Sequence, residues 1–185
     1  MVLISGPSGS GKSTICRRLL QRPDVVFSIS ATTRAPRTGE RDGVDYHFMD
    51  VGEFKRRQAQ GDFIEYAEVH GNMYGTLRAP MESAIEAGKV FLVEIDVQGA
   101  IQLKRLETPG VYVFVDVPDI VELRRRLESR GTDAADVIER RVAKAEAERA
   151  ERDKYDVVVV NDDLERAYAE VLSAAGLAPL TGEPS

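Results

Sequence analysis

Cysteine occurs once in this chain, at Cys16, so an internal disulfide is excluded, and its place in an apolar helical pattern suits a small buried hydrophobe rather than a nucleophile. Histidine occurs twice, at His47 and His70. Two such separated residues make no metal site, and each reads as a surface or turn residue. Long apolar runs are missing as well. Nothing is long enough to span a bilayer, and Met1-Val2-Leu3-Ile4, which could open a signal peptide, is ended at once by Gly6-Pro7 and reads as a strand. The expected location is therefore cytoplasmic. Net positive charge is lacking too: 25 Lys and Arg stand against 31 Asp and Glu, a balance of −6. That argues against a general nucleic-acid or membrane-surface binder and confines any anion site to a local basic cluster. No internal repeat or low-complexity block is visible. What remains is a chain of 185 residues, 43% hydrophobic and 30% charged, long enough to bury one real core.

The most informative stretch is Gly6-Pro7-Ser8-Gly9-Ser10-Gly11-Lys12-Ser13, which fits G-x-x-x-x-G-K-[ST]. An apolar run precedes it and helical apolar spacing follows from Ser13 and Thr14 to Leu20, the strand–loop–helix context that a phosphate-binding loop needs. Glycines there can take backbone angles that aim successive N–H groups at one anion, and the helix adds its positive N-terminal end. Lys12 then reaches the outer phosphates, and the Ser13 hydroxyl suits a coordination position on Mg²⁺.

Further along, Val25–Ile29, Val90–Asp96, Val111–Val117 and Val157–Val160 read as buried strands, with the first strand at residues 1–5. Helices separate them. The expected fold class is α/β: a doubly wound, mostly parallel sheet of P-loop kinase type, with a mixed α/β insert and a charged helical segment. Within the insert, a polar, Arg-rich stretch from Ser30 to Asp45 has no helical period and reads as a working loop or partly extended chain. Asp50 and Glu53 read as a capping pair for a helix over Val51–Gln60 that Gly61 stops, flanked by strand-like runs at Tyr46–Met49 and Phe63–Val69. A helix is expected from about Pro80 to Ala87. Residues 119–154 are charged helix interrupted at Arg130-Gly131-Thr132, and Asp162 or Asp163 caps a final helix. Glu94 and Asp96, two apart, are expected to share one face of the Val90 strand at the edge where the phosphate loop lies. A helix-cap role for Asp96 is compatible with that placement.

Several separate motifs then resemble the guanylate kinase family: Ser30-Ala31-Thr32-Thr33-Arg34-Ala35-Pro36-Arg37 with Gly39-Glu40 and Asp45-Tyr46-His47-Phe48; Phe63-Ile64-Glu65; Asn72-Met73-Tyr74-Gly75-Thr76; Glu94 to Ala100; Arg130-Gly131-Thr132; and Val160 to Leu164. They occur in the family's order from the phosphate loop to about Leu172. The resemblance implies transfer of the γ-phosphoryl group of ATP to GMP, with Mg²⁺, by in-line transfer as insert and lid close. It divides a single domain at 1–176 into a core (1–29, 79–118, 155–175), a GMP-binding insert (30–78) and a lid (119–154), leaving 177–185 as a flexible tail.

The chemistry of the residues agrees. Arg34 and Arg37 can each offer a planar fork to the GMP phosphate, and Tyr46 and Tyr74 add phenolic donors. A carboxylate at Glu65 can accept guanine's two neighbouring N–H groups while a hydroxyl at Ser30 or Thr76 serves its carbonyl. Adenine would leave that carboxylate unpaired, which costs about 1–3 kcal/mol or more. Glu94, Asp96 and Arg141 complete the expected GMP contacts. By resemblance, Arg130 and Arg141 approach the ATP phosphates, Arg126 is a further candidate there, and Asn161 lies near the adenine. Lys12, Arg34, Arg130, Arg141 and Asp96 are the expected catalytic set. Ser13 and, through water, Asp96 are the expected metal contacts, Asp96 being preferred to Glu94. Two alternatives stay open from the sequence: a P-loop kinase acting on another small phosphorylated acceptor, and a non-catalytic phosphopeptide-binding module.

Overall fold

The computed structural model describes residues 1–69, 71–129, 131 and 134–180. Five strands form a parallel sheet: β1 (Val2–Ser5), β2 (Val25–Phe27), β7 (Val90–Glu94), β8 (Val111–Asp116) and β9 (Val157–Val160), in the order β2-β7-β1-β8-β9. Alternation divides their side chains between two layers. Val2 and Ile4 of β1 with Val113 and Val115 of β8 face Ile15 and Leu19 of α1 (Lys12–Leu19) and Tyr168 and Val171 of α7 (Leu164–Ala174). Leu3, Tyr112 and Phe114 point the other way, onto Val97, Ala100 and Leu103 of α4 (Val97–Arg105) and Ala84 of α3 (Arg78–Glu86). Both faces are therefore covered, the doubly wound arrangement expected from the valine-rich runs. Cys16 is buried in the first of these layers, as expected for a small hydrophobe.

A second sheet of four strands, ordered β4-β3-β6-β5, is built from β3 (Ala31–Thr32), β4 (His47–Phe48), β5 (Phe63–Val69) and β6 (Asn72–Leu77). It packs on α2 (Val51–Gln60) around Ala31, Phe54, Phe63 and Leu77, with the Phe54 and Phe63 rings stacked at 4.5 Å. Asp50 caps α2 by accepting from the Glu53 N–H at 2.8 Å, and Gly61 ends it in the left-handed conformation. The other half of the expected capping pair is missing, because the Glu53 carboxylate is taken by Arg56 and Arg57 one turn on. A third cluster, Val117, Leu123, Leu127, Ile138, Val142 and Ala145, joins α5 (Ile120–Ser129) to α6 (Ala135–Arg149).

Four sequence expectations need correction. The Val90 strand ends at Glu94, not Asp96, because the Asp96 carboxylate accepts from the Gly99 N–H at 2.9 Å and starts α4 as its N-cap. Strand alternation therefore does not relate Glu94 to Asp96. β9 is an edge strand, with Val158 and Val160 each 39% exposed, because α7 covers only one of its faces. His47 lies in β4 and is half-buried rather than a surface or turn residue. The tail begins docked: the Leu177 N–H donates to Leu172 O at 3.0 Å and its side chain packs on the core. His70, Arg130 and Thr132 lie outside the described residues.

Candidate active site

The phosphate loop runs from the end of β1 into α1, and its geometry explains its glycines. Gly6, at φ +137°, passes so close to β8 that a Cβ would stand 2.1 Å from Val115 O. Gly11, at φ +95°, is the N-cap of α1, and a Cβ there would stand 2.1 Å from Asn161 Nδ2. Only glycine fits either place. Lys12 Nζ donates to Pro7 O at 3.1 Å, folding its side chain back along the loop. With α1 behind it, this loop presents N–H groups and a cation to a common point.

An open cleft of ≈ 500 Å³ lies in front of the loop, lined by Gly6, Ser8, Gly9 and Gly11 to Thr14 on one side and by Ser28, Ser30, Tyr46, Glu94 and Asp96 on the other. Ser13 Oγ donates to Glu94 Oε1 at 2.6 Å. The serine expected to hold the metal is thus tied to Glu94, the carboxylate ranked second from the sequence, while Asp96 stands in the same cleft with one oxygen given to its helix cap. Hard oxygen donors of this kind suit a cation that arrives on nucleotide phosphates. Among the described residues, no three His, Cys, Asp or Glu side chains gather to hold a metal ion unaided.

A second cavity of ≈ 220 Å³ opens beside the first and shares Ser30, Tyr46, Glu94, Ile95 and Asp96 with it. Glu65, Tyr74 and Gly75 form its far wall. Glu65 and Thr76 are cross-strand partners on β5 and β6, only 5% and 1% exposed, and Thr76 Oγ1 donates to Glu65 Oε1 at 2.6 Å. A hydroxyl has one proton to give, so Thr76 steadies Glu65 rather than serving a ligand carbonyl, and of the two expected hydroxyls Ser30 remains for that task. Burial, reinforced by the negative charge of Asp96, pushes the Glu65 carboxyl up to about 7.

At the mouth, Arg34 Nη2 donates to both carboxylate oxygens of Glu40 at 2.9 Å while Nη1 donates to Ala35 O at 2.7 Å, and the guanidinium lies 5.4 Å from the Tyr46 ring. Tyr46 and Tyr74 meet edge to face at 6.1 Å. The Arg37 side chain is exposed, and its backbone N–H donates to Glu40 at 2.7 Å. Glu40 therefore orients the whole arginine loop. It belongs to the Gly39-Glu40 motif visible in the sequence, where no role was assigned to it.

On the other side of the phosphate loop, Arg126, Ser129 and Asn161 line a cavity of ≈ 380 Å³ with Gly9, Gly11 and Thr14. The buried Asn161 amide donates to Ser10 O at 2.7 Å, and Arg126 Nη2 donates to Asn161 O at 2.7 Å. Asn161 therefore braces the loop as well as lining the cavity. Arg141 is half-buried on α6, one turn before Lys144. Lys144 and Glu148 line the main cleft, 3.4 Å apart, and were missed from the sequence. Their spacing of three and seven residues from Arg141 places all three on one helix face, a signal present in the sequence but lost among the many charges there. Partial burial raises the Glu148 carboxyl above its ordinary range, opposed chiefly by Lys144.

A family model described as Guanylate kinase matches residues 1–175. The chain is similar to a guanylate kinase of Clostridium perfringens strain 13, 46% identical over 172 residues that cover 92% of this chain and 80% of the relative. It is also similar to a guanylate kinase of Rubrobacter xylanophilus, 44% identical over 185 residues that cover 100% of this chain and 97% of the relative. Among solved structures, a guanylate kinase from Anaplasma phagocytophilum superposes with a TM-score of 0.72 at 35% identity, covering 94% of this chain and 82% of that one.

Proposed function

Since the chain belongs to the guanylate kinase family and is an enzyme that phosphorylates GMP to GDP at the expense of ATP, we propose which of its residues carry out each part of that reaction. The family removes the two alternatives left by the sequence, another acceptor and a non-catalytic module. One observation carries the proposal: the buried Glu65–Thr76 pair ends a cavity that is continuous with the cleft of the phosphate loop.

In this reading GMP lies in the smaller cavity. Glu65 accepts the two N–H donors of the guanine edge and Ser30 donates to its carbonyl. Arg34 and Arg37 hold the GMP phosphate with Tyr46 and Tyr74, and Glu40 sets the angle of the arginine fork. The ATP phosphates rest on Gly6, Pro7, Ser8, Gly9, Ser10 and Gly11 with Lys12, Ser13 and Thr14, while the adenine end lies toward Arg126 and Asn161.

Phosphoryl transfer spreads charge over the transferring group, so catalysis rests on alignment and on cations rather than on a covalent intermediate. Lys12 supplies one cation from the loop, and Arg141 with Arg130 supplies others as residues 119–154 close as a lid over the insert at 30–78. Lys144 joins them from the same helix face as Arg141. Mg²⁺ would be held by Ser13 and, through water, by Asp96 and Glu94. It would neutralise charge on the ATP phosphates. Among the described residues no helix is long and apolar enough to cross a membrane. The proposed location is the cytoplasm, where both substrates are free.

The test is ADP release from ATP and Mg²⁺ with GMP, dGMP, AMP, UMP, dTMP and ribose 1,5-bisphosphate as separate acceptors. Turnover confined to GMP and dGMP supports guanine reading by Glu65. Comparable turnover with AMP contradicts it.

A further inference from the structure

The helix α4 begins in the cleft, at Asp96, and ends about 13 Å away at the usual rise per residue. At that far end a separate, open cavity of ≈ 340 Å³ lies between α4, β8 and the 3₁₀ turn Arg152–Lys154. Its floor is apolar and aromatic, with Ile101 and the rings of Tyr112 and Tyr155. Its rim is cationic, with Lys104, Arg105 and Lys154, and no carboxylate lines it. The volume falls in the range of sites that take small organic ligands, and a flat apolar floor with a few convergent charges is their usual composition.

Cations in the last turn of a helix complement its dipole, which accounts for the sign of Lys104 and Arg105. It does not account for Lys154, which comes from a different element, or for the rings beneath. Lys104 pairs with Asp156 at 2.6 Å, and Lys154 pairs with Glu151. Arg105 is exposed and has no ion pair among the described residues. The Lys104 ammonium lies 5.1 Å from the Tyr112 ring centroid, so that ring already carries a cation on its face. With Lys104 and Lys154 each facing a carboxylate, the rim cation left to meet an anion is Arg105.

Tyr155 connects this cavity to the catalytic cleft. Its ring packs edge to face on Phe114 at 5.1 Å and walls the cavity, while its hydroxyl is buried without a hydrogen-bond partner among the described residues, as is that of Ser5 at the end of β1, next to the phosphate loop. Lys154 and Tyr155 also follow the helix that carries Arg141, Lys144 and Glu148. A molecule that bridges Lys154 to Arg105 would fasten the exit of α6 to the core.

We propose that this cavity is a second binding site, for a small aromatic anion, and that its occupation slows turnover by restraining α6. The ring packs against Ile101 and the exposed edges of Tyr112 and Tyr155, and the acid group meets Arg105, with Lys154 beside it. The probe is 8-anilinonaphthalene-1-sulfonate, added to full-length protein whose catalytic cleft is filled with a guanosine–adenosine pentaphosphate bisubstrate. Saturable binding of one dye per chain is expected, weakened about tenfold or more in the double variant Arg105→Glu, Lys154→Glu. That variant should keep its activity without dye. In steady-state assays without the bisubstrate, the dye should lower kcat without competing with ATP or GMP. Displacement by GDP would assign the site to nucleotides, and displacement by anthranilate but not GDP would assign it to another aromatic acid. Equal dye binding by wild type and variant, competition with either substrate, or equal displacement by inorganic phosphate alone would overturn the proposal.

Discussion

Thr76 Oγ1 donates to Glu65 Oε1 at 2.6 Å, between two residues that face each other across the β5–β6 hairpin and are almost wholly enclosed. The bond uses one lone pair of the carboxylate and fixes its plane, so the remaining acceptor capacity is aimed rather than free to turn. A buried carboxylate with this much unused capacity is costly to keep, and a ligand with two adjacent donors relieves the cost.

The pH dependence follows from the same pair. Burial disfavours the charge of Glu65 and pushes its carboxyl up to about 7, and accepting two donors requires the ionised form. The KM for GMP should fall as pH rises from 6 to 8, while the KM for ATP stays flat. Stability runs the opposite way. The folded-state value lies above the ordinary carboxyl value of 4.5, so the folded chain holds its proton more tightly, and stability declines as pH rises from 4.5 to about 7. Initial-rate kinetics and thermal melts across that window check both signs. Thr76→Val should raise the KM for GMP several-fold, in keeping with the loss of about 1–3 kcal/mol when a hydrogen-bond partner is removed.

Asn161 is expected to matter through the phosphate loop. Asn161→Ala removes the donor to Ser10 O and leaves that buried carbonyl unpaired. The KM for ATP should rise about tenfold or more at a loss of about 1–3 kcal/mol, with little change in GMP binding measured by calorimetry without ATP.

Asp116 anchors the end of α6. It is 1% exposed, lies 2.7 Å from Arg149 Nε in a charge contact outside hydrogen-bond alignment, and accepts from Arg152 Nη1 at 3.3 Å. Its own main-chain carbonyl accepts from the Asn161 N–H at 2.9 Å. Asp116→Ala would leave Arg149 without its counter-ion and should cost about 3 kcal/mol. Urea unfolding should show a lower midpoint with an unchanged slope.

Glu40→Gln should loosen the arginine fork without touching the phosphate loop. The expected result is a several-fold rise in the KM for GMP and an unchanged KM for ATP. Loss of the Glu40 charge also frees the guanidinium of Arg34, so a tighter rather than weaker GMP complex would show that Glu40 competes with the phosphate instead of orienting its partner.

Much of this architecture is legible in the sequence where one physical signal dominates. The parallel strands announce themselves as runs of valine, isoleucine and leucine, and Asp50 and Gly61 mark both ends of α2. The insert was harder. Ala31–Thr32 and His47–Phe48 are two-residue strands, too short to show alternation: the first pairs with the edge of the β5–β6 hairpin, and the second adds onto the first. For Asp96 the sequence offers both a strand end and a helix cap, because acid after an apolar run fits either place, and the Gly99 contact decides for the cap. The tie of Ser13 to Glu94 joins residues 81 positions apart, and the proton that Thr76 gives to Glu65 depends on hairpin register. Neither has a local signature.

The central claim is that Glu65 reads guanine, and kinetics of Glu65→Gln test it most directly. The amide presents an N–H group where guanine also donates, so kcat/KM for GMP should fall about a hundredfold or more, while ATP binding measured by calorimetry remains within about twofold of wild type. Equal losses for GMP and ATP, or full activity with GMP, would contradict the account.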